Sequence, residues 1–283
     1  MKEAIKLGVR HIDCAAIYGN EKEIGEAFQE LFKEGIVKRE DLWITSKLWN
    51  TDHDADNVRK ACEKTIADLQ CDYLDLYLVH FPLAFEHTSV GGSPGFKLDD
   101  EGKCKMARVP LHVTWAAMEA LVEGKLTKSI GISNYPFIMF EDAMAYAKIK
   151  PVTNQIEAHP YFANDWFCSW CKREGVVITA HTPLGGAKAN AEWRGASESP
   201  LDDPVIQTIA EKHGKSVAQI CIRWALDRGT VVIPKSTKPH RIAENFGVLD
   251  FSLTEGEVAS ITALDKKQRS NKSGRSWGIK FQA

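Results

Sequence analysis

Hydrophobic positions along the chain follow two alternating rhythms. Runs that are apolar or nearly so fall at 10–14, 42–48 (LWITSKL), 73–79 (YLDLYLV), 128–133 (KSIGIS), 152–157, 176–181 and 231–234. Such runs read as strands, and the most apolar of them as strands covered on both faces. Between them the period lengthens. Residues 21–34 carry Ile24, Ala27, Phe28, Leu31 and Phe32 at helical spacing, and 54–69 carry Val58, Ala61, Cys62, Thr65, Ile66 and Leu69 on one stripe. Further helices are predicted at 113–123, 137–147, 164–174 with Asn164 as N-cap, 203–213, 216–227, 238–246 and 254–264. Two long loops, 82–110 and 185–200, and a polar tail, 265–283, complete the chain.

Strand–helix alternation over this length predicts an α/β fold with a parallel sheet and helices outside it. A doubly wound sheet carries a G-x-G-x-x-G turn after its first strand, and the chain has none. The expected fold is therefore a (β/α)8 TIM barrel, formed by 1–283 as one domain, with 82–110, 185–200 and 265–283 as covering loops and tail. The pattern supplies seven strands where eight are needed. Residues 1–8 read as the end of a helix, and the strand that should precede it is missing. At roughly 31 residues per βα unit, the chain is expected to be N-terminally truncated by one strand and part of a helix.

Composition narrows the setting. The 283 residues carry 36 Lys+Arg against 38 Asp+Glu, a formal net charge of −2. That balance excludes a whole-protein basic field for nucleic acid or a polybasic membrane surface. No apolar run approaches the ~18 residues of a membrane span, and the charged start lacks a secretory core. Seven cysteines, an odd number spread along the chain, read as reduced thiols, so a cytoplasmic protein is expected.

Candidate chemistry sits where strands end, the functional rim of such a barrel. Asp13 and Tyr18 follow the first visible strand, Lys47 ends the second and His80 follows the third. Ser133 and Asn134 end the fourth, Gln155 lies near the end of the fifth, His181 ends the sixth, and Lys235, Ser236 and Thr237 follow the seventh. Any one of these has an ordinary structural explanation. A lysine inside the apolar run Ile44-Thr45-Ser46-Lys47-Leu48 is the least ordinary, because a buried ammonium needs a partner, and Asp13 is the nearest candidate.

These residues resemble the aldo-keto reductase family. The resemblance is carried by GVRHIDCAAIYGNE (8–21), ITSKLW (44–49), DYLDLYLVHFP (72–82), GISNY (131–135), NQIEAHPY (154–161), TPLGG (182–186) and IPKS (233–236), with Arg241, Glu244 and Asn245 following. It runs the length of the chain in the expected order. It implies a barrel that binds NADP(H) without a glycine-rich loop, and a catalytic tetrad of Asp13, Tyr18, Lys47 and His80. Tyr18 would donate the proton, Lys47 would lower its pKa, Asp13 would hold Lys47, and His80 would orient the carbonyl oxygen. By the same resemblance Ser133, Asn134 and Gln155 would hold the nicotinamide carboxamide, and His181 would stack on the ring where many members have tyrosine. Leu184 and Gly186 would lie in the loop over the pyrophosphate. Lys235, Ser236 and Arg241 would clamp the 2′-phosphate, and Glu244 and Asn245 would meet the adenine. No metal is implied. The first strand, which in the family carries a Gly-Thr-Trp-like segment at the nicotinamide, has no counterpart.

Within the family the closest likeness is to plant-type aldose-6-phosphate reductases, through HFPLAFEHTSVG (80–91), HTPLGGAKANAEWRG (181–195), LDDPVI (201–206) and WGI (277–279). It implies reduction of an aldehyde, an aldose or aldose 6-phosphate, by a monomer or weak dimer acting on a small-molecule carbonyl substrate. Lys97, Lys103, Lys105, Arg108, Lys188 and Arg194 are candidates for a sugar-phosphate site. The alternatives are a broad-specificity aldehyde/aldose reductase, or a truncated cofactor-binding protein with little turnover. Cys168-Ser169-Trp170-Cys171 lacks a second pair and reads as packed thiols. Trp166, Trp170, Trp193 and Trp277 read as packing or pocket walls.

Overall fold

The computed structural model describes residues 1–91, 95–186, 198–271 and 277–279. Lys188, Arg194 and Trp193 lie outside them. The chain divides into two compact units, Met1–Asn154 with Gly274–Ala283, and Gln155–Ser273. The seven strands among the described residues follow one another in chain order, the order that repeated right-handed βα crossovers produce.

In the first unit, β1 (His11–Asp13), β2 (Trp43–Leu48), β3 (Leu74–Val79) and β4 (Thr127–Ser133) pair side by side and parallel, with Ile12 opposite Ile44, Lys47 opposite Leu78 and Leu78 opposite Gly131. All six residues of β3 are buried, as its apolar run predicts. The helices are α1 (Lys2–Lys6), α2 (Glu21–Lys33), α3 (Ala55–Asp68), α4 (Leu111–Glu123) and α5 (Phe137–Tyr146). The predicted stripes are the buried ones, with Phe28 and Leu31 on α2 and Val58, Ala61 and Cys62 on α3. Glycine at position 25 lets α2 approach its neighbour, since a Cβ there would stand 2.4 Å from the Asp68 carbonyl oxygen. β5 (Thr153–Glu157) contributes its first two residues to this unit and the rest to the second.

In the second unit, β6 (Val177–His181) pairs parallel with β7, which is only Val231–Val232. Pro234 cannot extend the ladder as a donor. Helices α6 (Asp165–Arg173), α7 (Pro204–His213), α8 (Val217–Asp227), α9 (Pro239–Phe246) and α10 (Glu255–Thr262) follow the predicted spans to within a turn. Their core joins Ile206, Ile220, Cys221, Trp224 and Ile261, all 0% exposed. Asn164 sits at the N-cap of α6, but its side chain does not cap. Its φ of +48° is left-handed, and its amide instead donates to the Glu157 carbonyl at 2.9 Å.

Cys168 and Cys171 are buried thiols and not part of a disulfide. Trp166 departs from expectation: it is 59% exposed and lies against Trp170. No helix among the described residues is long and apolar enough to cross a membrane.

Candidate active site

The first unit brings the four predicted tetrad residues together at the carboxyl ends of its strands. Lys47 is fully buried on β2. Its ammonium has three hydrogens to place. One goes to Asp13 Oδ1 at the end of β1, one to the Cys14 carbonyl at 2.8 Å, and the third points to Tyr18 Oη at 3.5 Å. Tyr18 ends a short 3-10 turn, Ala16–Tyr18, that Gly19 closes with a φ of +68°. That left-handed turn suits glycine, and it holds the phenol against the lysine. The Tyr18 and His80 rings meet edge-on, 6.1 Å between centroids.

Electrostatics follow from this packing. Burial pulls the Lys47 ammonium down, but the Asp13 carboxylate and its other neighbours more than compensate, and the group ends above an ordinary lysine. Burial likewise pushes the Tyr18 phenol up, and Lys47 pulls against it. The sequence predicts a phenol lowered by Lys47. The pull is present but burial outweighs it, and the phenol ends above its usual value. Tyr18 as a whole is 53% exposed, so solvent screens part of both effects. Like an ordinary phenol, it keeps its proton at neutral pH.

The strand ends around the tetrad are tied together by Asn134. Its φ of +62° turns the chain after β4. Its Nδ2 donates to the His80 carbonyl at 3.0 Å and to Ser133 Oγ at 3.1 Å. Both Ser133 and Asn134 are buried.

Of the wall beside His80, sequence reasoning names only Trp277, as packing or a pocket wall. Phe81 stacks on the imidazole at 4.9 Å and Trp49 meets it edge-on at 5.4 Å. Phe85 and Trp277 extend this aromatic cluster, and the Cys104 N–H donates to the Trp277 carbonyl at 2.8 Å. The available signal is an aromatic directly after His80, Phe81, and another two positions after Lys47, Trp49.

In the second unit, Gln155 is buried in β5 and His181 ends β6, with its Nδ1 3.0 Å from Thr182 Oγ1. Leu184 packs on the apolar core, and Gly186 (φ +80°) follows it in the same turn. Lys235 and Arg241 are exposed, and Ser236, Glu244 and Asn245 are partly buried at or on α9. That helix starts at Pro239 with no side-chain cap. Among the described residues no carboxylate pairs with Lys235, Lys238 or Arg241. Unneutralised cations at an uncapped helix N-terminus suit an anion such as a nucleotide phosphate.

The loop cations divide differently. Lys97 faces Glu86 at 3.8 Å and Lys103 faces Glu101 at 2.5 Å, whereas Lys105 and Arg108 have no carboxylate partner among the described residues. No group of three metal-ligating side chains occurs among the described residues either.

Comparison with known proteins places this geometry. The Aldo/keto reductase family profile matches residues 1–266. An NADP-dependent D-sorbitol-6-phosphate dehydrogenase of Malus domestica is 48% identical, over 99% of this chain and 89% of its own. Aldose reductase B of Dictyostelium discoideum is 46% identical, over 95% and 84%. The solved aldose reductase of Giardia lamblia superposes with a TM-score of 0.89 at 40% identity, over 100% of this chain and 92% of that one.

Replacing Lys47 tests the buried ion pair. Lys47→Met should lower unfolding free energy by about 3 kcal/mol, because the Asp13 carboxylate then faces the interior without its cation. Adding Asp13→Asn should recover part of that loss. Equal denaturation midpoints for wild type and Lys47→Met would contradict the pairing.

Proposed function

As the chain belongs to the Aldo/keto reductase family, we propose that it reduces the aldehyde of an aldose or aldose 6-phosphate to the alcohol with NADPH, Tyr18 serving as general acid. The observation that supports this reading best is the three-way placement of the Lys47 ammonium on Asp13, the Cys14 carbonyl and Tyr18. NADPH, when bound, supplies the hydride for the carbonyl carbon.

The chain's own residues handle the oxygen. His80 directs the carbonyl oxygen towards Tyr18 and shares in polarising it. Tyr18 gives its phenolic proton to the oxygen as negative charge develops there. The resulting phenolate is stabilised by the Lys47 ammonium, which Asp13 keeps charged and in place. The aromatic wall of Trp49, Phe81, Phe85 and Trp277 limits water around the developing charge.

By family resemblance, Lys235, Ser236 and Arg241 would hold the 2′-phosphate, Glu244 and Asn245 the adenine, and Leu184 and Gly186 the pyrophosphate. Ser133, Asn134 and Gln155 would each be carboxamide contacts, and His181 would meet the nicotinamide ring. Lys105 and Arg108, the loop cations that face no carboxylate among the described residues, are the stronger candidates for a sugar phosphate. The protein works in the cytoplasm.

NADPH oxidation with glucose 6-phosphate, mannose 6-phosphate, D-xylose and an aromatic aldehyde tests the reading. Turnover is expected with at least one sugar, and binding of NADPH with no aldehyde reduced would overturn it. Tyr18→Phe should cost roughly 10²–10⁴ in turnover with NADPH affinity retained; near-normal turnover would remove Tyr18 as the acid. Arg241→Ala should weaken NADPH roughly tenfold more than NADH, and equal weakening would mean that Arg241 does not read the 2′-phosphate.

A further inference from the structure

The turn that follows Trp49 anchors the long loop after β3 at three points. The Phe85 N–H donates to the Asn50 carbonyl at 2.8 Å. His87 Nδ1 lies 3.0 Å from the Thr51 carbonyl, 3.3 Å from Asp52 Oδ1 and 3.3 Å from Asn57 Nδ2. The Gly91 N–H donates to Asp52 Oδ2 at 3.1 Å. Asp52 is 0% exposed and has no lysine or arginine partner among the described residues. Burial pushes its carboxyl up to about 6. The Gly91 N–H, the half-exposed His87 imidazole and Thr51 of the same turn stand against this buried carboxyl. Gly91 and His87 belong to the loop. Gly91 is held closely there: its φ is +84°, and a Cβ would stand 2.7 Å from Lys64 Cδ.

The same loop carries the side of the site that faces His80. Phe85 packs on Trp49 and Trp277 at 6.3 and 5.3 Å. Trp49 Nε1 donates to the Gly95 carbonyl at 3.3 Å, and the Trp49 ring touches His80.

We propose that Asp52 is a positioning residue for substrate: by holding Gly91 and His87 it fixes the loop after β3, and through Phe85 and Trp49 the aromatic wall that seats the aldose beside His80. This inference rests on the reductase reading above. Asp52 touches none of the tetrad, so its loss should loosen the wall without disturbing the proton donor.

Steady-state kinetics with D-xylose or glucose 6-phosphate, whichever the wild type reduces, together with NADPH binding by fluorescence, provide the test. Asp52→Ala should raise the aldose KM roughly tenfold, with kcat and NADPH Kd within about twofold. Asp52→Asn, which keeps an acceptor for the Gly91 N–H, should return KM to within about threefold of wild type. Should Asp52→Ala fail to fold, His87→Ala at the half-exposed end of the contact decides, with a KM increase of roughly threefold and the same split. An unchanged KM in the folded variants, or aldose KM and NADPH Kd moving together, overturns the inference. A wild type that reduces no aldehyde overturns the reductase reading, and this inference with it.

Discussion

An ammonium at 0% exposure in a parallel strand is the constraint around which this chain is arranged. A buried charge is tolerated only where a counter-charge and hydrogen-bond acceptors surround it. β1 must therefore lie against β2 in the register that puts Ile12 opposite Ile44 and Asp13 opposite Thr45, so that Asp13 and the Cys14 carbonyl both reach Nζ. With those two hydrogens placed, the third can only serve whatever the loop after β1 supplies. The glycine-closed turn at 16–19 supplies a phenol. A requirement of folding, satisfaction of a buried lysine, thereby sets a phenol with a fixed cation beside it, the arrangement the proposed reduction uses.

The same economy appears at the neighbouring strand ends. Asn134 uses its amide to hold the His80 carbonyl, so a residue that resemblance assigns to the cofactor also fixes the backbone of the tetrad histidine. Asp52 holds the loop that walls His80. In each case a buried polar side chain with defined partners sets the position of a rim group, which packing of apolar surface alone would leave less specified.

Much of this was legible in the sequence because it rests on local rules. Apolar runs and period-3.6 stripes located the strands and α-helices of the described residues, and a lysine inside an apolar run called for a carboxylate, with Asp13 as the nearest candidate. What stayed hidden depends on three-dimensional surroundings. The upward displacement of the Tyr18 phenol comes from burial, which no spacing reveals. Asn164 has the composition of a capping residue, yet its left-handed backbone turns the amide to Glu157. The aromatic wall is assembled from residues 49, 81, 85 and 277, too far apart in sequence to form a pattern.

The central claim is that Tyr18, its phenol held beside the Lys47 ammonium, gives up the proton, with His80 orienting the carbonyl. The pH dependence of kcat for aldose reduction tests this most directly. A phenol displaced above its ordinary pKa of about 10 predicts a rate that is level through neutral pH and falls only on the alkaline side. A fall in rate centred near about 6.5, the ordinary range of an imidazole, that persisted in saturating NADPH and aldose would place the donated proton on His80 and contradict the account.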